Sequence, residues 1–221
     1  VTAPILVLHA PGDPAAGAPW RGALEGAGWD GPVVAPDLPG HGDAPPPTGG
    51  HHELADAAFA AVGYLADAGL DGEPPVVVGI GANGWPAQLL ALGGRARALV
   101  LVDGLGGPWR TAPEAVAARR DQLRALAADP AAVAPHAGPG TDPRLAHGPR
   151  PHDSRDLAWR AARAATVPTL LIESPASPTP RDDLPDLVDA WASPVDLRRV
   201  PGADPTTVAA HVTGWQRADG M

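Results

Sequence analysis

The sequence predicts an α/β protein built on a doubly wound, mostly parallel sheet. Three observations carry that reading. Short apolar runs rich in β-branched residues alternate with stretches of helical period, the pattern of βαβ units. One run, Val76-Val77-Val78, has no polar break, as a strand covered on both faces requires. It leads into Gly79-Ile80-Gly81-Ala82-Asn83-Gly84-Trp85-Pro86, a glycine turn followed by a helix start with proline in its first turn.

The elements follow in order. Ile5-Leu6-Val7-Leu8-His9 reads as a buried strand, and Ala10-Pro11-Gly12-Asp13-Pro14 as a loop. Residues 20–29 form a weak helix with Leu24 inward. Pro32-Val33-Val34-Ala35-Pro36 is the next strand, and a rigid proline-rich loop follows it. Residues 53–68 read as a helix, because Leu54, Ala58, Ala61, Val62 and Leu65 share one face. After the Val76 strand and its helix, to about Leu92, comes Ala98-Leu99-Val100-Leu101-Val102-Asp103, another buried strand.

Regularity then breaks. The region 108–165 holds a helix near 113–128, a segment rich in Pro, Gly and His over 130–151, and a second helix near 153–165. It reads as an inserted lid, leaving 1–107 and 166–221 as the core. Pro168-Thr169-Leu170-Leu171-Ile172-Glu173 returns to strand, residues 184–191 to helix. Val195-Asp196-Leu197-Arg198-Arg199-Val200 alternates apolar and polar, as suits an edge strand, and residues 206–216 form the last helix. In such a sheet ligands sit at the carboxyl ends of the strands, at the switch point.

Composition narrows the partners. The 221 residues are 44% hydrophobic and include 7 Trp, enough for one domain with a sizeable core. All 16 basic residues are arginine, and with the abundant alanine this fits a GC-rich genome. A net charge of −9 without a basic stripe argues against nucleic acid and anionic membranes. The absence of cysteine excludes disulfides, a thiolate nucleophile and zinc–thiolate sites, and suits a cytoplasmic setting. No apolar run nears the roughly 18 residues of a membrane span. The stretch at 4–8 is too short for a signal peptide.

Taken together, these pieces resemble the α/β-hydrolase family. Asp37-Leu38-Pro39-Gly40-His41-Gly42 matches that family's Asp-x-Pro-Gly-His-Gly loop, the most specific match in the chain. Ile5 to Ala10 looks like its strand ending in His-Gly, and Val76 to Gly84 occupies the place of its nucleophile elbow, G-x-S-x-G. Leu101-Val102-Asp103, Pro168 to Ile172 and Val200-Pro201-Gly202-Ala203 resemble the later strand ends. The chain starts at what resembles the family's third strand, so the first strands are expected to be absent.

The resemblance then assigns vestigial positions. Gly81 stands where the nucleophile belongs, and none of Ser154, Ser174, Ser177 and Ser193 lies in a glycine turn after a strand. One oxyanion donor would be Ala82 N–H; the other falls on Pro11, which has none. The acid position falls near Ser177, which is flanked by Glu173 and Asp182 but is no carboxylate, and the base position on Pro205. His211 follows, but inside the last helix. Asp103, His9 and His41 are the remaining acid–base candidates, each with an ordinary reading as a turn cap or loop scaffold. The adjacent His51 and His52, and His136, His147 and His152 in the lid, lack metal-ligand spacing, so no metal site and no cofactor is expected. Ala10, Trp20, Gly81, Trp85 and Trp109 are candidate pocket residues.

The sequence thus predicts an α/β-hydrolase-fold protein without its triad, which either binds a small apolar or carbonyl-bearing ligand or is a pseudoenzyme acting as a structural or regulatory paralogue. Two alternatives stand beside it. One is a lyase, isomerase or cyclase using a lone acid or base. The other is a hydrolase of small esters or amides with an unrecognised nucleophile.

Overall fold

A computed structural model describes residues 2–13, 15, 17–48, 52, 54–104, 121, 124–125, 128–129, 141–142, 145, 155–177 and 184–219. The element order is β1 (Ile5–Leu8), α1 (Ala18–Gly26), β2 (Val33–Val34), α2 (Leu54–Asp67), β3 (Val76–Ile80), α3 (Gly84–Leu92), β4 (Ala98–Val102), α4 (Arg155–Ala164), β5 (Thr169–Glu173), α5 (Leu184–Ala190), β6 (Val195–Arg199) and α6 (Pro205–Asp219). Among the described residues the strands form one sheet of six, in the order β2-β1-β3-β4-β5-β6, with every pairing parallel.

Strand alternation sorts the core into two layers. Leu6, Leu8, Val77, Leu99, Leu101 and Leu171 face one side, where they meet Ala57, Ala61 and Leu65 of α2, Leu90 of α3, Ala162 of α4 and Leu184 of α5. Ile5, Val7, Val76, Val78, Val100, Leu170 and Ile172 face the other, against Trp20 and Leu24 of α1 and Val208, Val212 and Trp215 of α6. Helices on both faces explain why β3, β4 and β5 are buried along their whole length. Three of the five residues of β6 are Asp or Arg, and it lies at the sheet edge.

Two elements differ in extent from the sequence reading. The second strand shrinks to Val33–Val34, because Pro32 and Pro36 on either side have no N–H to give the ladder. The first helix begins at Ala18, where Pro19 suits the first turn, and ends at Gly26 before Gly28 turns the chain at φ +84°. The helix α4, which the sequence reading places in the lid, packs against α3 and α5, with Ala162 in the core layer and Ala161 against Trp85. Trp109, most of the expected helix 113–128 and most of the segment 130–151 lie outside the described residues.

This order puts the switch point between β1 and β3. From β1 the chain steps outward to β2, then crosses back to β3 on the other side and continues away. The carboxyl ends of β1 and β3 therefore open onto a crevice, where the elbow turn sits.

Candidate functional site

The turn after β3 is one short helical turn, Gly81–Asn83, running directly into α3. Gly81 has φ +57°, in the left-handed region that glycine reaches without strain. A Cβ placed on Gly81 would meet Ala10 Cβ at 3.9 Å, an ordinary contact. The position thus has the backbone of an elbow and room for a side chain, but carries none. Gly79 just below is different. A Cβ there would lie 2.6 Å from the Asn83 carbonyl oxygen and 2.8 Å from Gly84 Cα, so this glycine lets α3 start tight against β3.

Asn83 occupies the last place of the elbow frame, where the pattern has its second glycine. It is buried, and its Nδ2 donates to the His9 carbonyl oxygen at 2.6 Å. That bond ties the elbow to the end of β1. Sequence reasoning missed this tie; a polar residue in place of the pattern's glycine was its only signal.

His9 and His41 stand edge to face, ring centres 4.5 Å apart. His9 Nδ1 donates to the Ala10 carbonyl oxygen at 3.0 Å, and its Nε2 accepts from Leu38 N–H at 3.1 Å. His41 Nδ1 donates to the Leu38 carbonyl oxygen at 3.1 Å, and its Nε2 accepts from Gly12 N–H at 2.8 Å. Both rings in this assignment are neutral imidazoles with both nitrogens engaged, sewing the loop after β1 to the loop after β2. Burial lowers the His9 pKa to about 4, opposed by its bond to Ala10 and assisted by His41. Gly12 N–H, the donor beside Pro11, is thus tied to an imidazole, while Ala82 is exposed.

Asp103 follows β4 with φ +49°. Its Oδ1 accepts from Ser174 N–H and its Oδ2 from Ser174 Oγ, each at 2.6 Å. Ser174 Oγ in turn accepts from Ala176 N–H at 3.1 Å, so the turn after β5 is organised by Asp103. The next residue, Gly104, lies against the elbow: a Cβ there would come within 2.8 Å of the Gly81 carbonyl oxygen. Glu173, on the neighbouring strand end, is a buried carboxyl. Burial raises its pKa to about 7; a hydrogen bond from Ser177 opposes the rise and the Asp103 charge adds to it. Sequence reasoning noted Glu173 only as a neighbour of the acid position.

Past β6, where the histidine position falls, Asp204 caps α6. Its Oδ1 accepts from Thr206 and Thr207 N–H, its Oδ2 accepts from Thr207 Oγ1, and Pro205 takes the first helical place. His211 lies six residues into that helix and is half-buried. Trp20 and Trp85 do not share a pocket. Trp20 packs in the α1–α6 layer and Trp85 against Ala161 and Leu89, because large apolar side chains beside the strand ends are taken up by helix packing. A cavity of about 20 Å³ does lie at the crevice, lined by Pro11, Leu38, His41, His52, Asn83 and Leu145 among others. Among the described residues no three His, Asp or Glu side chains gather as a metal site, and no helix is long and apolar enough to cross a membrane.

His9 and Glu173 give opposite pH slopes. Glu173 titrates at about 7 folded and 4.5 unfolded. Between those values the folded protein keeps a proton that the unfolded chain has released, so stability falls as pH rises from about 4.5 through 7. His9 titrates at about 4 folded and 6.5 unfolded, so its contribution is lost as pH falls from 6.5 through 4. The slopes oppose each other in the shared window. Glu173→Gln removes one of them: it is expected to raise stability at pH 8 by about 1–2 kcal/mol relative to its effect at pH 4.5. Chemical denaturation at both pH values measures this.

Comparison with known proteins agrees with this architecture. Residues 5–220 match the model of the alpha/beta hydrolase family. Among solved structures, a thermophilic esterase from Thermogutta terrifontis with malate bound superposes with TM-score 0.72 at 21% identity, covering 98% of this chain and 90% of that one. MenH from S. aureus gives 0.71 at 15% identity, covering 100% and 96%. The enol-lactonase from Burkholderia xenovorans LB400 gives 0.65 at 19%, covering 99% and 90%. No match was found among curated proteins. With the family's pattern running through nearly the whole sequence and its sheet order and elbow turn in place, the chain belongs to the alpha/beta hydrolase family.

Proposed function

We propose that this protein keeps the α/β-hydrolase fold without serine-hydrolase chemistry and binds a small apolar or carbonyl-bearing ligand at the crevice between β1 and β3. One observation carries the reading. At the elbow, Gly81 holds the left-handed turn with space for a side chain, and there is no oxygen there to attack a carbonyl. The neighbouring groups support it. Pro11 has no N–H, Gly12 N–H is bonded to His41, and the base position is a helix cap of Asp204 and Pro205.

Purified protein is expected to show no turnover of 4-nitrophenyl acetate or butyrate above buffer. Gly81→Ser is expected to remain as inactive and to lose about 1–2 kcal/mol of stability, because serine is strained at φ +57°. Rapid esterase activity in that variant contradicts the reading, since it requires a base and an oxyanion site already in place. A thermal-shift screen of small apolar esters, ketones and acids tests the binding half.

Glu173 favours a second reading, a non-hydrolytic enzyme with a lone acid or base. It is a carboxyl that holds its proton close to neutral pH, beside Asp103 at the carboxyl edge of the sheet. His9, His41 and Asp103 have their polar atoms committed to loop bonds, which leaves Glu173 as the group to mutate first.

A further inference from the structure

A second hollow lies at the opposite end of the sheet from the elbow, between the turn that enters β3 and the turn that enters β4. It encloses about 200 Å³. Both walls are built the same way. At the end of α2, Gly69 at φ +70° donates its N–H to the Ala66 carbonyl oxygen at 2.9 Å, and Leu70 N–H donates to that of Leu65 at 2.8 Å. At the end of α3, Gly94 at φ +69° donates to the Ala91 carbonyl oxygen at 3.1 Å, and Arg95 N–H to that of Leu90 at 2.8 Å. Each is a Schellman cap, which fixes the path of the residue after the glycine. Arg97 N–H donates to the Pro75 carbonyl oxygen at 3.0 Å and ties the two turns together.

In such a cap the residue after the glycine commonly makes an apolar contact back onto the helix. Leu70 suits that role and packs against the core layer that includes Leu65. Arg95 does not. It is exposed, and among the described residues it forms no ion pair. The other turn carries Asp71 and Glu73, both exposed and equally without an ion pair among the described residues. The hollow thus has an apolar floor of Leu65, Leu70 and Pro75, two carboxylates on one wall and a guanidinium on the other. A charged residue in the apolar place of a cap breaks a local rule, as functional positions do. Drug-sized ligands fill roughly 300–1,000 Å³, so there is room here for something smaller. We propose that the hollow binds a free α-amino acid with an apolar side chain. The side chain lies on the floor, the ammonium meets Asp71 and Glu73, and the carboxylate meets the fork of Arg95, each through charge-assisted hydrogen bonds. The site stands apart from the crevice, and neither reading rests on the other.

Calorimetric titration of the whole chain with L-leucine is expected to give a Kd of about 1 mM or tighter. Two analogues remove one charge each: 3-methylbutylamine lacks the carboxylate and 4-methylpentanoate lacks the ammonium. Each is expected to bind at least tenfold more weakly. Arg95→Gln is expected to bring leucine down to the level of the amine. Asp71→Asn combined with Glu73→Gln is expected to bring it down to the level of the acid. These side chains are exposed, so both variants are expected to fold with unchanged urea midpoints. Arg97→Gln, exposed but outside the hollow, is expected to change nothing. Amide shifts in a ¹⁵N-resolved NMR titration place the ligand. Movement at Leu70, Asp71, Glu73 and Arg95 supports the site. Movement confined to Gly12, Leu38 and Asn83 overturns it and counts toward the crevice reading instead. No binding up to about 10 mM, or leucine no tighter than its two analogues, also overturns it.

Discussion

Gly79→Ala is expected to destabilise the protein by about 3 kcal/mol, and Gly79→Val to prevent folding. The added Cβ would lie 2.6 Å from the Asn83 carbonyl oxygen, 2.7 Å from Ala87 Cβ and 2.8 Å from Gly84 Cα. Two of these three atoms are backbone, so no rotamer change relieves the clash and α3 must move off β3. Forced overpacking of this kind costs about 1–3 kcal/mol when side chains absorb it, and more when the backbone must shift. Leu90 and Ala91 on the same helix help fill the core layer over Val77, Leu99 and Leu101, so the displacement spreads into the centre of the sheet. Urea denaturation of the alanine variant measures the effect, with Gly63→Ala on the exposed face of α2 as the control expected to be neutral or stabilising.

Asp103→Ala is expected to cost about 2–4 kcal/mol. It removes both acceptors of Ser174, leaving a buried N–H and hydroxyl unsatisfied, and it puts alanine at φ +49°. Asp103→Asn is expected to recover much of this loss, because asparagine tolerates the left-handed region and keeps one carbonyl acceptor. The pair of variants separates the charge from the backbone. Asp103 also raises the Glu173 pKa, so both variants are expected to lower it. A carboxyl resonance of Glu173 followed by NMR across pH 5–9 reads that shift, and an unchanged midpoint contradicts the coupling.

Most of the fold was legible because its signals are local. The apolar runs at Ile5, Val76, Ala98 and Thr169 are each a strand, and the polar alternation of Val195 to Arg199 marks an edge. The elbow was legible from glycine spacing, since the left-handed turn at Gly81 favours glycine and the close approach at Gly79 excludes a side chain. Long-range pairings were not legible. Asn83 meets His9 across 74 positions, Asp103 meets Ser174 across 71, and His52 meets Asp142 across 90. Such contacts are set by strand order and loop path, and no periodicity encodes them. The tryptophans show the same limit from the other side. Trp20 and Trp85 are near each other in no spacing pattern that tells a pocket wall from a packed core, and helix packing claims both.

The central claim is that no activated nucleophile stands at the elbow. The most direct measurement is covalent: incubate the intact protein with excess fluorophosphonate probe at pH 7.5 and weigh it by mass spectrometry. The predicted spectrum is the unmodified mass, before and after exposure. A single stoichiometric adduct, mapping to a residue at the carboxyl edge of the sheet and abolished by heat denaturation, contradicts the claim and restores a serine-hydrolase reading.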